Sequence, residues 1–149
     1  MLYWISNLVV FVLCFVVMEG VAWFTHKYIM HGFLWKLHAD HHKPGYRMFE
    51  LNDLFGVFFA SVAIYLIVSG ALNNDLRLPA GIGVTAYGAA YFWVHDIFVH
   101  QRVKWLTRTE NQYLRALRKA HKIHHKKMGK HGAEAFGFLF VHPKYFNNK

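Results

Sequence analysis

Three apolar stretches divide the chain. Residues 2–18 carry no charged side chain, and the apolar character continues past Glu19 to Phe24. At helical rise this first stretch is long enough to cross a hydrocarbon core of about 30 Å. A second run covers 54–72, and a third starts near Leu78-Pro79 and continues to Val94. Between them, residues 73–77 (NNDLR) read as a short polar hairpin. Gly81, Gly83 and Gly88 in the third run would let helices approach closely, as small residues do inside membranes. The last third has a different pattern. Thr109-Glu110-Asn111-Gln112 fits a capping box and predicts a helix start. At 100° per residue, Leu114, Leu117, His121, His124, His125 and Met128 then share a stripe about 100° wide, with cations on the other faces. Gly129 is the expected stop. Such a helix suits a membrane surface. Residues 135–141 (AFGFLFV) are the only candidate for a fourth, shallow or re-entrant element.

Charge orients these elements. Of 17 Lys and Arg, only Arg77 lies in the hairpin and none precedes the first run. Lys27, Lys36, Lys43 and Arg47 lie between the first two runs, and the rest follow the third. The positive-inside rule therefore predicts a cytoplasmic location for both ends rich in cations. The chain is 55 % apolar with a net charge of +9. A soluble nucleic-acid binder is excluded by the length of the apolar runs. The single Cys14 excludes an intrachain disulfide and a cysteine-based zinc motif. No secretory signal peptide is expected, since no cation precedes the first run and no small-residue cleavage site follows it. One domain over 1–149 is expected.

The chemistry lies in the histidines. His26, His31, His38, His41 and His42 follow the first run, and His95, His100, His121, His124 and His125 follow the third. The pattern HxxxxH…HxxHH is thus given twice and absorbs ten of the twelve histidines. In HxxHH the imidazoles sit at i, i+3 and i+4, on one helical face, and one helix can serve two neighbouring metals. The segment 34–43, between Gly32 and Pro44-Gly45, can be such a helix. Five residues turn about 140° on an ideal helix, so His26 and His31 do not share a face there. The helix is expected to loosen after His26, with His31 and Gly32 in a turn, and likewise between His95 and His100. Ten ligand-type residues at a membrane face are costly without a partner, which makes a polynuclear metal site the leading reading. His131 and His142 lie outside the pattern. Two six-coordinate ions offer about twelve positions, so ten imidazoles leave roughly two for oxygen species. That suits iron and O₂, although zinc also favours imidazole.

Two carboxylates are candidate catalytic residues. Glu19 lies seven residues before His26, on the same helical face and deeper in the membrane, where it can orient a ligand or line a substrate channel. Asp96, like Asp40 and Asp53, is placed to accept a ring N–H from a ligand histidine. The aromatic residues Trp23, Phe24, Trp35, Phe92 and Trp93 can line a substrate path or anchor the interface.

The surrounding text is more specific. MEGVAWFTHKYIMHG (18–32), LHADHH (37–42), FELNDLFGVFFA (49–60), HDIFVHQR (95–102), AHKIHH (120–125) and FGFL (136–139) resemble the bacterial β-carotene 3-hydroxylases. These belong to the fatty acid hydroxylase and sterol desaturase superfamily of non-haem di-iron membrane enzymes. The resemblance implies an all-α membrane protein of three to four transmembrane helices, with a cytoplasmic-side, histidine-rich helical cap holding a dinuclear site. It implies insertion of one oxygen atom of O₂ at C3 of a β-ionone ring, giving β-cryptoxanthin and then zeaxanthin. Electrons would come from a ferredoxin-type donor and ultimately NAD(P)H, and the setting would be the bacterial inner membrane. The alternative within the superfamily is an acyl-lipid or sterol hydroxylase or desaturase. A haem cytochrome needs paired axial ligands facing each other, for which duplicated HxxHH clusters are poor, and a metal carrier should have fewer, more exchangeable ligands.

Overall fold

In the computed structural model of the chain, residues 1–43, 49–105 and 107–146 are described. Helix α1 (Leu2–Phe24) takes up the whole first apolar run. It continues as a π-helical stretch, Thr25–Phe33, broken at Gly32, whose φ of −104° and ψ of −125° are not helical. The short α2 (Trp35–His38) follows. Helices α3 (Asp53–Asn73) and α4 (Arg77–Tyr91) form a hairpin, and α4 runs into a second π-helical stretch, Phe92–Val99. Helix α5 (Gln112–His125) and a 3-10 turn (Pro143–Tyr145) complete the order, and no strand occurs among the described residues.

The hairpin closes on Asn74, which takes a left-handed conformation at φ 52° and donates its N–H to Gly70 O. Asp75 then accepts from the Arg77 backbone N–H at 3.0 Å. The Tyr3 hydroxyl reaches Asn74 Oδ1 at 3.3 Å, so the start of α1 and the hairpin share one end of the bundle. All the ligand-pattern histidines follow the opposite ends of α1 and α4.

Helix α4 packs against both α1 and α3. Glycine permits the close approach: a Cβ at Gly83 would lie 2.6 Å from Phe11 O, and one at Gly70 would collide with the backbone N of Leu78. Gly81 likewise abuts Ile67, whereas Gly88, expected to serve the same purpose, has nothing within 4 Å of its Cβ position. The remaining surface of α1 and α3 is apolar and uncovered. Ala22 is the only buried residue of α1, and Ala63 and Gly70 are those of α3. Large side chains such as Leu13, Val16, Phe58 and Ile64 are more than half exposed. An unbroken apolar surface of this kind is stable in lipid and not in water. Leu2–Phe33 and Asp53–Asn73 are the two helices long and apolar enough to cross a membrane among the described residues. The third run is less apolar: Pro79, Gly81, Gly83 and Tyr87 take the buried positions of α4.

Several boundaries differ from expectation. Asn111, not Thr109, caps α5, its Oδ1 accepting from Leu114 N at 3.1 Å. Thr109 instead accepts the N–H of Asn111, so the capping signal is real but two residues early. The helix ends at His125, before Gly129, and Met128 lies beyond it, 54 % exposed. Ala116 and Ala120 complete its buried face beside Leu117, against Val94, Val141 and Tyr145. The predicted helix 34–43 is helical only over Trp35–His38 and continues as turns through His42. Pro44, Gly45 and Arg47 lie outside the described residues. Residues 135–141 contain no helix. They form an irregular strap laid over α1 and α4, with Phe138 packed on Ala22 and Tyr87.

Candidate metal centre

The π-helical stretches solve the spacing problem posed by HxxxxH. Bonding from N–H(i) to the carbonyl of i−5 widens the turn, so residues five apart come round toward the same side. Such a bond joins His100 N to His95 O at 2.9 Å. His26 and His31 now lie with ring centroids 5.3 Å apart, and His95 and His100 at 4.5 Å. The loosening expected after His26 is therefore a change of helix type, with the break deferred to Gly32.

All ten pattern histidines converge, in two groups. His26, His31, His38, His42 and His124 have ligand atoms within 4.8 Å of one another, and so do His41, His100, His121 and His125. His95 joins the second group through His41, Nε2 to Nε2 at 3.2 Å. The groups do not follow the two halves of the chain. Each HxxHH keeps its first and last histidine in its own group and gives its middle one away: His41 goes to the second group and His124 to the first. Helical geometry explains this in α5, where His125 turns only 40° from His121 while His124 turns 60° the other way.

Hydrogen bonds outside the cluster fix the ring tautomers. The Nδ1–H of His26 donates to Phe136 O at 3.0 Å, that of His31 to Lys130 O at 3.0 Å, and that of His42 to Lys127 O at 3.0 Å. His124 donates to Glu134 O at 2.8 Å. His38 has Asn52 Oδ1 at 2.7 Å and His41 has Glu50 Oε2 at 2.7 Å. Carbonyl and carboxylate oxygens only accept, so Nδ1 carries the proton and Nε2 presents a lone pair. Those lone pairs point at one another: Nε2 of His31 lies 3.2 Å from that of His124, and His38 Nε2 lies 3.2 Å from both His26 and His42. Two unprotonated nitrogens so placed repel unless a cation lies between them. Protonation is not the remedy, because burial holds His124 down at about 3 and His42 at about 4. Burial likewise holds His121 and His125 well below the usual imidazole range. Nitrogens bound at about 2.1 Å to one ion, at right to tetrahedral angles, are separated by about 3.0–3.4 Å. The observed spacings fit that donor set, and the buried His125 Nε2, without a hydrogen-bond partner, could supply a further ligand atom.

The two groups have different surroundings. Backbone carbonyls and an amide orient the first group, while carboxylates face the second: Glu50 toward His41, and Asp96 Oδ2 at 3.3 Å from His95 Nδ1. Arg102 ties these acids together, reaching Glu50 at 2.9 Å, Asp53 at 3.0 Å and Asp96 at 3.0 Å. Asp40 and Asp53 face no histidine through a hydrogen bond; Asp40 Oδ2 accepts from Leu51 N at 2.7 Å and Asp53 Oδ2 from Glu50 N at 3.0 Å, and both shape the loop carrying Glu50 and Asn52. The sequence pattern does not single out Glu50, Asn52 and Arg102, although Glu50 and Asn52 sit in the FELND stretch and Arg102 lies two residues after His100.

Glu19 makes its hydrogen bonds elsewhere. Its carboxylate accepts from the Tyr87 hydroxyl at 2.7 Å and from the N–H groups of Phe138, Leu139 and Phe140 at 2.9, 3.0 and 2.9 Å. It also lines a cavity of about 510 Å³ beside the cluster, walled by Trp23, Val94, Leu117, Ala120 and Phe138 together with His95 and His121. Of the other proposed path residues, Trp35 packs on the His31 and His42 rings and Trp93 stacks on Phe98. Phe24 and Phe92 are about half exposed on the outer surface. His142 accepts from Lys144 N at 3.2 Å, outside both histidine groups.

Residues 11–146 match the fatty acid hydroxylase family. The chain belongs to the fatty acid hydroxylase family. Within it, the chain is 46 % identical over 137 residues to a beta-carotene hydroxylase of Pseudescherichia vulneris, covering 91 % of this chain and 77 % of that one. It is 43 % identical over 140 residues to the beta-carotene hydroxylase of Pantoea ananas, covering 94 % and 80 %. The chloroplastic beta-carotene 3-hydroxylase 1 of Arabidopsis thaliana is 39 % identical over 131 residues, covering 85 % of this chain and 41 % of that one. No solved structure matches the chain. Membership in this hydroxylase family and the histidine cluster point to the same kind of enzyme.

Proposed function

We propose that this chain is a carotenoid ring hydroxylase, converting β-carotene to β-cryptoxanthin and zeaxanthin with O₂ and electrons from a ferredoxin-type donor fed by NAD(P)H. The observation that carries the reading is the similarity to named beta-carotene hydroxylases over nearly the whole chain, joined to the paired imidazole nitrogens. One metal ion would be held by His26, His31, His38, His42 and His124, and the other by His41, His95, His100, His121 and His125. Iron in these positions supplies O₂ activation, which side chains alone do not provide. Zinc would fit the same nitrogens and yield a redox-inactive protein.

The chain's own part is placement. The cavity walled by Trp23, Val94, Leu117 and Phe138 is of a size usual for ligand sites and is mostly apolar. It suits the cyclic end group of a carotene while the polyene stays in lipid. Its contact with His95 and His121 brings the ring to the second position. Glu50, Asp96 and Arg102 hold the imidazoles there in a fixed tautomer and orientation. Asp96 thus supports the site through positioning, and Glu19 lines the cavity. We place three helices, α1, α3 and α4, across the bacterial inner membrane with the histidines on the cytoplasmic side, where the electron supply lies.

Pigment analysis of β-carotene-accumulating cells tests the function. Cells expressing the chain should gain β-cryptoxanthin and zeaxanthin. Unchanged pigment would overturn the reading, and altered acyl lipids or sterols in its place would favour the other branch of the superfamily.

A further inference from the structure

The strap 135–141 crosses the membrane-facing end of the cluster without regular structure, so its amides need partners from outside. Three consecutive amides, Phe138 to Phe140, turn toward one carboxylate, Glu19, whose second oxygen also takes the Tyr87 hydroxyl. Charge-assisted bonds of this kind are the strong ones. Just upstream, the carbonyls of Phe136 and Glu134 accept the Nδ1–H groups of His26 and His124. Between those two carbonyls lies Ala135 at φ 60°, a left-handed conformation that an alanine adopts only under constraint. The strap is thus held at one end by Glu19 and presses on ligand imidazoles at the other. Both of those imidazoles belong to the first group. In the second group, Glu50 and Asp96 take up His41 and His95 through hydrogen bonds and Arg102 joins the two acids, while the strap meets that group by ring packing alone, Phe138 lying edge-on to His95 at 5.4 Å.

We propose that Glu19 is a positioning residue for one metal position only, the one formed by His26, His31, His38, His42 and His124, and that it acts through the strap. The proposal rests on the two-ion reading above. It assigns the intramembrane acid a task distinct from contact with substrate: Glu19 fixes the strap, and the strap fixes the tautomer and aim of two ligands. Loss of an outer partner of this sort weakens metal affinity about 10–100-fold.

The test is Co²⁺ binding to the detergent-solubilised full-length chain, read as tightly bound ions per inserted chain and as visible absorption. Glu19→Gln replaces an oxygen with an NH₂ that opposes the strap amides. Gly137→Val reaches the same contact from the strap side, because a Cβ there meets Glu19 Oε1 at 3.1 Å and Phe140 O at 3.0 Å. The parent chain should bind two ions tightly. Both variants should keep one tight ion and hold the other about 10–100-fold more weakly. The remaining spectrum should match that of His38→Ala and not that of His100→Ala. Two tight ions in the variants, loss of both together, or a spectrum matching His100→Ala would each overturn the proposal. If Glu19→Gln does not insert, Gly137→Val decides alone, since it lies outside the helices. Fewer than two ions in the parent chain would overturn the two-ion reading itself.

Discussion

His41 and Glu50 share a hydrogen bond of 2.7 Å, nine residues apart in sequence, and Arg102 holds the same Glu50 oxygen at 2.9 Å. His41 is the histidine that the first half of the chain lends to the second histidine group, so this contact secures the crossing point between the halves. A carboxylate behind a ligand imidazole fixes its tautomer and raises its basicity. Glu50→Ala should therefore weaken metal retention at the second position about 10–100-fold and lower hydroxylation in step. Glu50→Gln keeps an acceptor and should lose less. Chelator-release rates on the purified variants check this, and parental retention in Glu50→Ala would refute the assigned role.

The ligand set predicts a graded series. His38, His41, His42, His121, His124 and His125 changed singly to Ala should each abolish hydroxylation while leaving membrane insertion intact. His142→Ala should keep substantial activity, because its ring bonds a neighbouring backbone amide and stands outside both groups. Elemental analysis of active parent chain should give two metal ions per molecule. About one ion per active chain, or full activity in His41→Ala, would defeat the assignment.

Much of this site is legible in the sequence, for a definite reason. Imidazoles are rare ligand-type side chains, and their repetition at fixed spacing marks all ten positions without any tertiary information. What the spacing cannot show is how the groups divide, because the exchange of His41 and His124 depends on how the two HxxHH segments meet in space. The oxygens that orient the first group are mostly backbone carbonyls at Lys127, Lys130, Glu134 and Phe136, and any residue type has a carbonyl. Glu19 is conspicuous as a lone acid in an apolar run, yet its partners are the Tyr87 hydroxyl and amides more than a hundred residues away. The same limit governs the glycines. Gly88 and Gly83 look alike in sequence, and only the crossing of α4 with α1 at Phe11 separates them.

Glycine packing yields its own expectation. A Cβ at Gly83 would come within 2.6 Å of the Phe11 carbonyl, a backbone atom that cannot turn aside. Gly83→Val should force α1 and α4 apart and lower the thermal midpoint of the solubilised protein, with a cost of about 1–3 kcal/mol or more for overpacking. Gly88→Val meets open space and should leave the midpoint nearly unchanged. Equal midpoints for the two variants would contradict the helix packing described.

The proposed orientation in the membrane rests on charge and on one contact. Tyr3 touches Asn74, so the start of α1 and the α3–α4 hairpin lie at the same end. Among 17 Lys and Arg, Arg77 is the only one in that hairpin, and twelve follow residue 94. Placing the histidine end outside would carry those cations against the positive-inside bias. It would also remove the cluster from reduced electron donors. With Cys14 replaced by Ser, a cysteine introduced at Asn74 should react with an impermeant thiol reagent added to intact cells lacking an outer barrier. One introduced at Lys130, whose carbonyl accepts from His31, should react only after the membrane is opened. Labelling at position 130 from outside would reverse the topology, and because both metal positions draw ligands from both halves, it would move the whole site with it.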